Sequence, residues 1–182
     1  EVQLEGGGFA KKSANIDCGG KVSEIYFNQY LYHKIALKGN FQKQLFKGDV
    51  IARDTNLVAT MSGLIDLRNA KPVYQMQGEI TRSNLQKLRL LDTPITVSTN
   101  FELDFKGDQY DDLEGHMVFA DATLRTPNKP DLHVELVSLS SENGSNQKRH
   151  YKLTSDLVSA EINGYFTPSV LQSHLGQLAN EY

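Results

Sequence analysis

The chain has no tryptophan and a single cysteine, Cys18, in 182 residues. A lone cysteine excludes an intrachain disulfide framework and leaves the redox compartment open. The same two scarcities exclude an antibody variable domain, which the opening EVQLEGGG invites, because that fold packs a cysteine pair around a buried tryptophan. No apolar run approaches the roughly 20 residues of a membrane-spanning helix. Nothing signal-like stands at Glu1, so the sequence reads as a piece cut from something longer. Neither charge sign is in excess: 19 basic and 22 acidic residues give a net charge of −3, and their dispersal leaves no electrostatic footprint for nucleic acid. Nucleophile-elbow, phosphate-loop, dinucleotide and HExxH patterns are all missing. The expectation is a non-enzyme with no cofactor.

Two acidic groupings invite a metal. Asp131, His133 and Glu135 share the polar side of one strand, and Glu102, Asp104, Asp108, Asp111, Asp112 and Glu114 crowd one region without the ligand order of a calcium loop. A solvated strand face accounts for the first and a charged rim for the second.

What the sequence has in quantity is alternation. Leu57, Ala59, Met61, Gly63, Ile65 and Leu67 point one way, while Val58, Thr60, Ser62, Leu64, Asp66 and Arg68 point the other, the period of a strand with one apolar face. Polar residues and Pro72 follow, then Val73 to Ile80 alternates with Tyr74, Met76, Gly78 and Ile80 on one side, completing a hairpin. Ile95, Val97, Thr99, Phe101, Leu103 and Phe105 alternate in the clearest strand of all. A one-residue slip there would bury its charged set. Val22 to Phe27, Leu31 to Leu37, Phe41 to Phe46 and Asp49 to Arg53 are further strand candidates, with Ser13 to Gly20 as turn material and Gly39-Asn40 as a turn. His116 to Leu124, Leu132 to Leu139, Arg149 to Thr154 and Leu157 to Phe166 complete about ten strands. Ser83 to Leu91 reads as a short helix capped by Ser83, and Pro168 to Tyr182 as a C-terminal amphipathic helix.

Two internal echoes suggest repeated strand-and-turn units. Asn40 to Asp49 returns at Asn100 to Asp108, and Asp54 to Asp66 returns at Ser155 to Phe166.

About ten apolar strand faces and only two helices pose a covering problem. The sheet must curl as a barrel, a sandwich or an open trough. A trough exposing roughly 1,000 Å² of apolar surface would forgo about 25 kcal/mol of burial, more than the roughly 5 to 15 kcal/mol net stability of a domain. It persists only with something apolar in it.

The segments GNFQKQLFKGDVIARDTNLVATMSGLIDL, NLQKLRLL, NFELDFKGDQYDDLEGHMVFADATL and LVSAEINGYFTPSVLQSHLGQL, spread over Gly39 to Tyr182, together resemble the repeat region of TamB-like proteins of the AsmA-like superfamily. The resemblance lies in the cadence of strands, glycines and short helices. It implies a mainly β fold, a curved antiparallel sheet folded into an elongated, taco-like groove, with residues 1–182 forming one β-rich unit of a much longer protein. It also implies the periplasm of a diderm bacterium, an inner-membrane anchor on the full-length protein, phospholipid or another acyl-chain ligand, and a role in outer-membrane lipid transport and assembly, with outer-membrane assembly proteins as further partners. On that reading Leu57, Met61, Ile65, Tyr74, Met76, Ile95, Val97, Phe101, Leu103, Val158, Ile162 and Phe166 line the groove. The alternative is a closed β-sandwich binding module for a glycan or a protein partner, for which Tyr26, Phe27, Tyr30 and Tyr32 form the one aromatic cluster.

Overall fold

A computed structural model describes residues 2–7, 15–144 and 148–165. Alternation governs nearly all of it. Eleven strands form one sheet: β1 (Val2–Gly7), β2 (Asn15–Phe27), β3 (Tyr30–Gln42), β4 (Leu45–Arg53), β5 (Leu57–Asp66), β6 (Val73–Asn84), β7 (Thr96–Lys106), β8 (Glu114–Arg125), β9 (Leu132–Asn143), β10 (Arg149–Ser155) and β11 (Ser159–Gly164). Their order across the sheet is their order in the chain, and each neighbouring pair is antiparallel. Among the described residues the sheet is not closed, so β1 and β11 are its two edges there and those strands form neither a barrel nor a sandwich. The accessible surface, 12,558 Å², well exceeds the roughly 8,800 Å² expected of a compact monomer of this mass. Among the described residues the only buried apolar side chains are Ala52, Leu88, Ala122 and Val134. This is a single layer without a conventional core.

The tightest turns carry no glycine. Asn28-Gln29 and Lys43-Gln44 take positive φ at both positions, 49° and 61° in the first, 49° and 64° in the second, the left-handed pair that matches the twist of a two-residue hairpin. The stretch Phe41 to Phe46 is therefore a hairpin rather than a strand, with Phe41 opposite Phe46. Gly39 and Asn40 lie inside β3 rather than in a turn. Glycine is needed there for a different reason: a Cβ on Gly39 would meet the Phe46 ring at 2.6 Å, and one on its partner Gly48 at 2.7 Å. The expected turn material from Ser13 to Gly20 likewise belongs, from Asn15 on, to β2.

The expected helix from Ser83 to Leu91 does not form. Ser83 is held in the ladder between Leu57 and Val97, and Asn84, not Ser83, supplies the cap through Oδ1 to the Lys87 amide at 3.0 Å. The Leu88 amide donates to the Asn84 carbonyl, but Leu90 then reaches back to Leu85 and Arg89 sits at φ 61°, which ends the winding after one turn. The leucine spacing still has a use, because Leu88 is only 1% exposed. The one helical piece among the described residues is the 3-10 turn Tyr110–Asp112. The expected helix from Pro168 to Tyr182 and the side chain of Phe166 lie outside the described residues.

The two echoes fare differently. Asn40 to Asp49 spans the β3–β4 turn while Asn100 to Asp108 begins as one unbroken strand, so they are not equivalent. Asp54 and Ser155 do correspond: each opens a hairpin by donating its amide to the carbonyl three residues on, Leu57 at 2.9 Å and Val158 at 2.8 Å. Each also turns its side-chain oxygen to amides inside that turn.

Candidate functional site

Antiparallel partners share a face of the sheet, so the registers give the composition of each face row by row. One row crosses eight strands through Gly20, Leu37, Val50, Met61, Gly78, Phe101, Phe119 and Val137. The next crosses nine through Gly39, Gly48, Gly63, Met76, Leu103, Met117 and Leu139, with Cys18 at one end and Leu153 at the other. A third holds Phe41, Phe46, Ile65, Tyr74 and Phe105. These rows contain no charged side chain. The opposite face reads Lys38, Asp49, Ser62, Gln77 and Glu102 along the row behind Met61.

The apolar face is paved by its own side chains. Phe46 lies over Gly39 and Gly48, Met76 reaches within 3.0 Å of where a Gly63 Cβ would stand, and the Phe101 ring edge does the same over Gly78. Large residues thus fill the spaces that glycines leave in neighbouring strands, a device that also pins register.

Met61, Ile65, Tyr74, Met76, Phe101 and Leu103 are brought together in this way as half-buried neighbours. Leu57 and Val97 face the same Ser83 two rows beyond Met61, past the row of Ala59, Ile80 and Thr99. Ile95 precedes β7 and uses its carbonyl to hold the Leu85 amide. Val158 lies in the β10–β11 turn and Ile162 in the edge strand, both exposed and remote from the Met61 group. The sequence reading missed Phe41, Phe46, Val50, Met117, Phe119, Leu139 and Leu153, which continue the same rows. Their alternation was available, but hairpin positions had to be right before the parity could be followed.

Several hollows open on the polar face. One of them is a depression of about 720 Å³ where Ala36, Ile51, Thr60, Ser62 and Ala120 leave room between the longer Lys38, Asp49, Gln77 and Glu102.

At one end of the strands the β2–β3 and β4–β5 hairpins are locked together. Asp54, 2% exposed, accepts from the Tyr30 hydroxyl at 2.6 Å, the Asn56 amide at 2.7 Å and the His33 amide at 2.9 Å. Asn56 Nδ2 closes the ring onto Tyr30 Oη at 3.0 Å, and Tyr32 packs edge-on against Tyr30. Burial alone would raise the Asp54 carboxyl, but those three donors outweigh it and hold it below its ordinary value, while burial and the carboxylate push the Tyr30 hydroxyl up. The cluster around Tyr30 and Tyr32 is thus a structural knot between hairpins.

At the other end Lys71 Nζ bonds Asp112 at 2.8 Å and lies 3.9 Å from Glu114. Arg149 donates to the Asp111 carbonyl, and Asn143 donates to Glu114. The acidic crowd is a charged rim answered by cations from neighbouring turns. Asp131, His133 and Glu135 also disperse, to Arg125, to Thr123 and, through the Glu135 amide, to Asp156. Among the described residues no three metal-ligating side chains converge.

No family model, curated protein or solved structure matches this chain. Its surfaces must therefore speak for themselves.

The carboxylates give the fold a pH signature. Arg68, through its side chain and its amide, holds Asp66 down to about 2, and Lys71 lowers Asp112. A carboxyl with a depressed folded-state pKa favours the fold above its unfolded value and loses that contribution as pH falls through the folded one. Stability should hold from neutral pH to about 4 and decline between about 4 and 2, as read by denaturant midpoints across that range. Arg68→Gln should lower the midpoint at neutral pH and flatten the decline between about 4 and 2, because it brings the folded-state pKa of Asp66 back toward the unfolded one.

Proposed function

We propose that this chain is a periplasmic segment of a TamB-like protein of the AsmA-like superfamily, and that its apolar face is the wall of a groove holding or conducting phospholipid acyl chains for outer-membrane lipid transport and assembly. Inner-membrane anchoring and contact with outer-membrane assembly proteins would belong to the longer protein. One observation carries the reading: apolar rows run from strand to strand across eight or nine strands without a charge, and most of their side chains stay half-exposed. A surface of that kind suits long hydrocarbon chains, which bind by area rather than through directed hydrogen bonds. Such a wall tolerates differing head groups.

Native mass spectrometry of gently purified protein should find co-purifying phospholipid or fatty acid. Photo-crosslinkers at Met61 and Phe101 should capture acyl chains, and one at Thr60, on the polar face, should not. Met61→Lys or Ile65→Lys should abolish lipid association or folding, while Thr60→Lys is tolerated. Equal behaviour at all three positions would remove the basis for the proposal.

The depression between Lys38, Asp49, Gln77 and Glu102 favours a second reading, a glycan-binding module. It would be a module on an open sheet rather than the closed sandwich that stood as the alternative reading of the sequence, and bound glycan in the same mass spectra would support it.

A further inference from the structure

One corner of the sheet differs from the paved face. Tyr26 and Phe27, at the tip of the β2–β3 hairpin, are 72% and 68% exposed, and Leu90 and Leu91, in the β6–β7 connection, are 53% and 47% exposed. Asn28 Nδ2 donates to the Arg89 carbonyl at 3.1 Å. That bond ties the two segments together, so all four side chains lie within two residues of it. The connection is itself fixed: Leu85 and Ile95 close its base and Leu88 is its buried anchor. Leu90 and Leu91 are therefore displayed by a held turn.

Charge surrounds this patch. Lys87 and Arg89 are exposed beside the leucines, and Arg53 and Arg82 are exposed on the adjoining ends of β4 and β6. The acidic neighbours are Glu24, which lies 3.8 Å from His33, and Asp92.

We propose that this corner docks on an anionic phospholipid surface, with Tyr26, Phe27, Leu90 and Leu91 entering the boundary between head groups and acyl chains. Aromatic rings and leucines interleaved with lysine and arginine are the composition of interfacial anchors, in which apolar area and attraction to anionic lipid act together. A protein partner fits less well, because lysine is depleted from the cores of protein interfaces, and Lys87 stands beside Leu88 and Leu90. The patch is made by the tip of one hairpin and one connecting turn, with all four apolar side chains exposed. This proposal does not depend on the acyl-chain reading of the apolar face, although docking there would bring that face to a source of lipid.

The test is flotation of the 182-residue chain with vesicles of phosphatidylcholine alone and with vesicles of mixed phosphatidylcholine and phosphatidylglycerol. The chain should bind the mixed vesicles about tenfold more tightly, with the preference lost at high salt. Tyr26→Ser with Phe27→Ser, or Leu90→Ser with Leu91→Ser, should each weaken binding by about tenfold or more. Lys87→Glu with Arg89→Glu should erase the preference for anionic vesicles. All six side chains are exposed, so unchanged circular dichroism will establish that the variants fold. Failure of the parent chain to bind either vesicle, equal binding to both, or retention of binding by the serine variants would each overturn the proposal. Capture of lipid by a Met61 crosslinker is read without vesicles, so loss of docking with capture intact separates the two readings.

Discussion

Asp54→Ala should cost about 3 kcal/mol or more in unfolding free energy, because it strands two backbone amides and a tyrosine hydroxyl that now share one buried carboxylate. The loss should appear as a lower denaturant midpoint. Asp54→Asn should fall between the parent and the alanine variant, since an amide keeps the shape and an acceptor but loses the charge that strengthens all three bonds. Tyr30 also receives a bond from Asn56, so Tyr30→Phe and Asp54→Ala should be non-additive, with a coupling of at least about 0.5 kcal/mol in a double-mutant cycle. If Asp54→Ala costs less than about 1 kcal/mol, the two hairpins are held by something else.

Gly115→Ala should be at least as damaging. Gly115 has φ 140°, and a Cβ there would stand 1.9 Å from the Asp104 carbonyl oxygen and 2.9 Å from the Phe105 Cα. These are backbone atoms of β7, so relief requires the β7–β8 pair to separate locally. Strain and overpacking together put the loss at about 3 kcal/mol or more. Gly19→Ala is the control: nothing lies within 4 Å of its Cβ, and the change should be neutral or slightly stabilising. Similar losses at the two positions would mean that the cost comes from glycine's general role in strands and not from close approach to β7.

Where alternation was strong, the fold could be read directly. Val73, Leu132 and Arg149 were each expected to start a strand and each does, and Met61, Met76, Phe101 and Leu103 were placed on the face they share. The errors have local causes. Gly39 has the look of a turn residue in sequence but makes room for an aromatic ring, while Lys43-Gln44 turns the chain without any residue that advertises a turn. Leu85, Leu88 and Leu91 have helical spacing, but Ser83 and Asn84 are already committed to the ladder, and only Leu88 is drawn inside. Whether the strands would close was not legible, because closure depends on cumulative twist and curvature that no single strand encodes. The aromatic cluster at Tyr26, Phe27, Tyr30 and Tyr32 stands out in the sequence, but its partners do not: Asp54 lies 24 positions from Tyr30, and Leu90 and Leu91 look like part of a short helix.

The strict agreement between chain order and sheet order has a kinetic meaning. Every strand finds its partner in the segment just before it, so no early strand waits for a distant one, and assembly can follow the order in which the polypeptide emerges. Growth of this kind proceeds as in a repeat array, each new hairpin templated by the last. The corresponding hazard is that the leading strand always presents unpaired backbone amides and carbonyls, so a stalled chain is a template for the wrong neighbour at whatever strand it stopped.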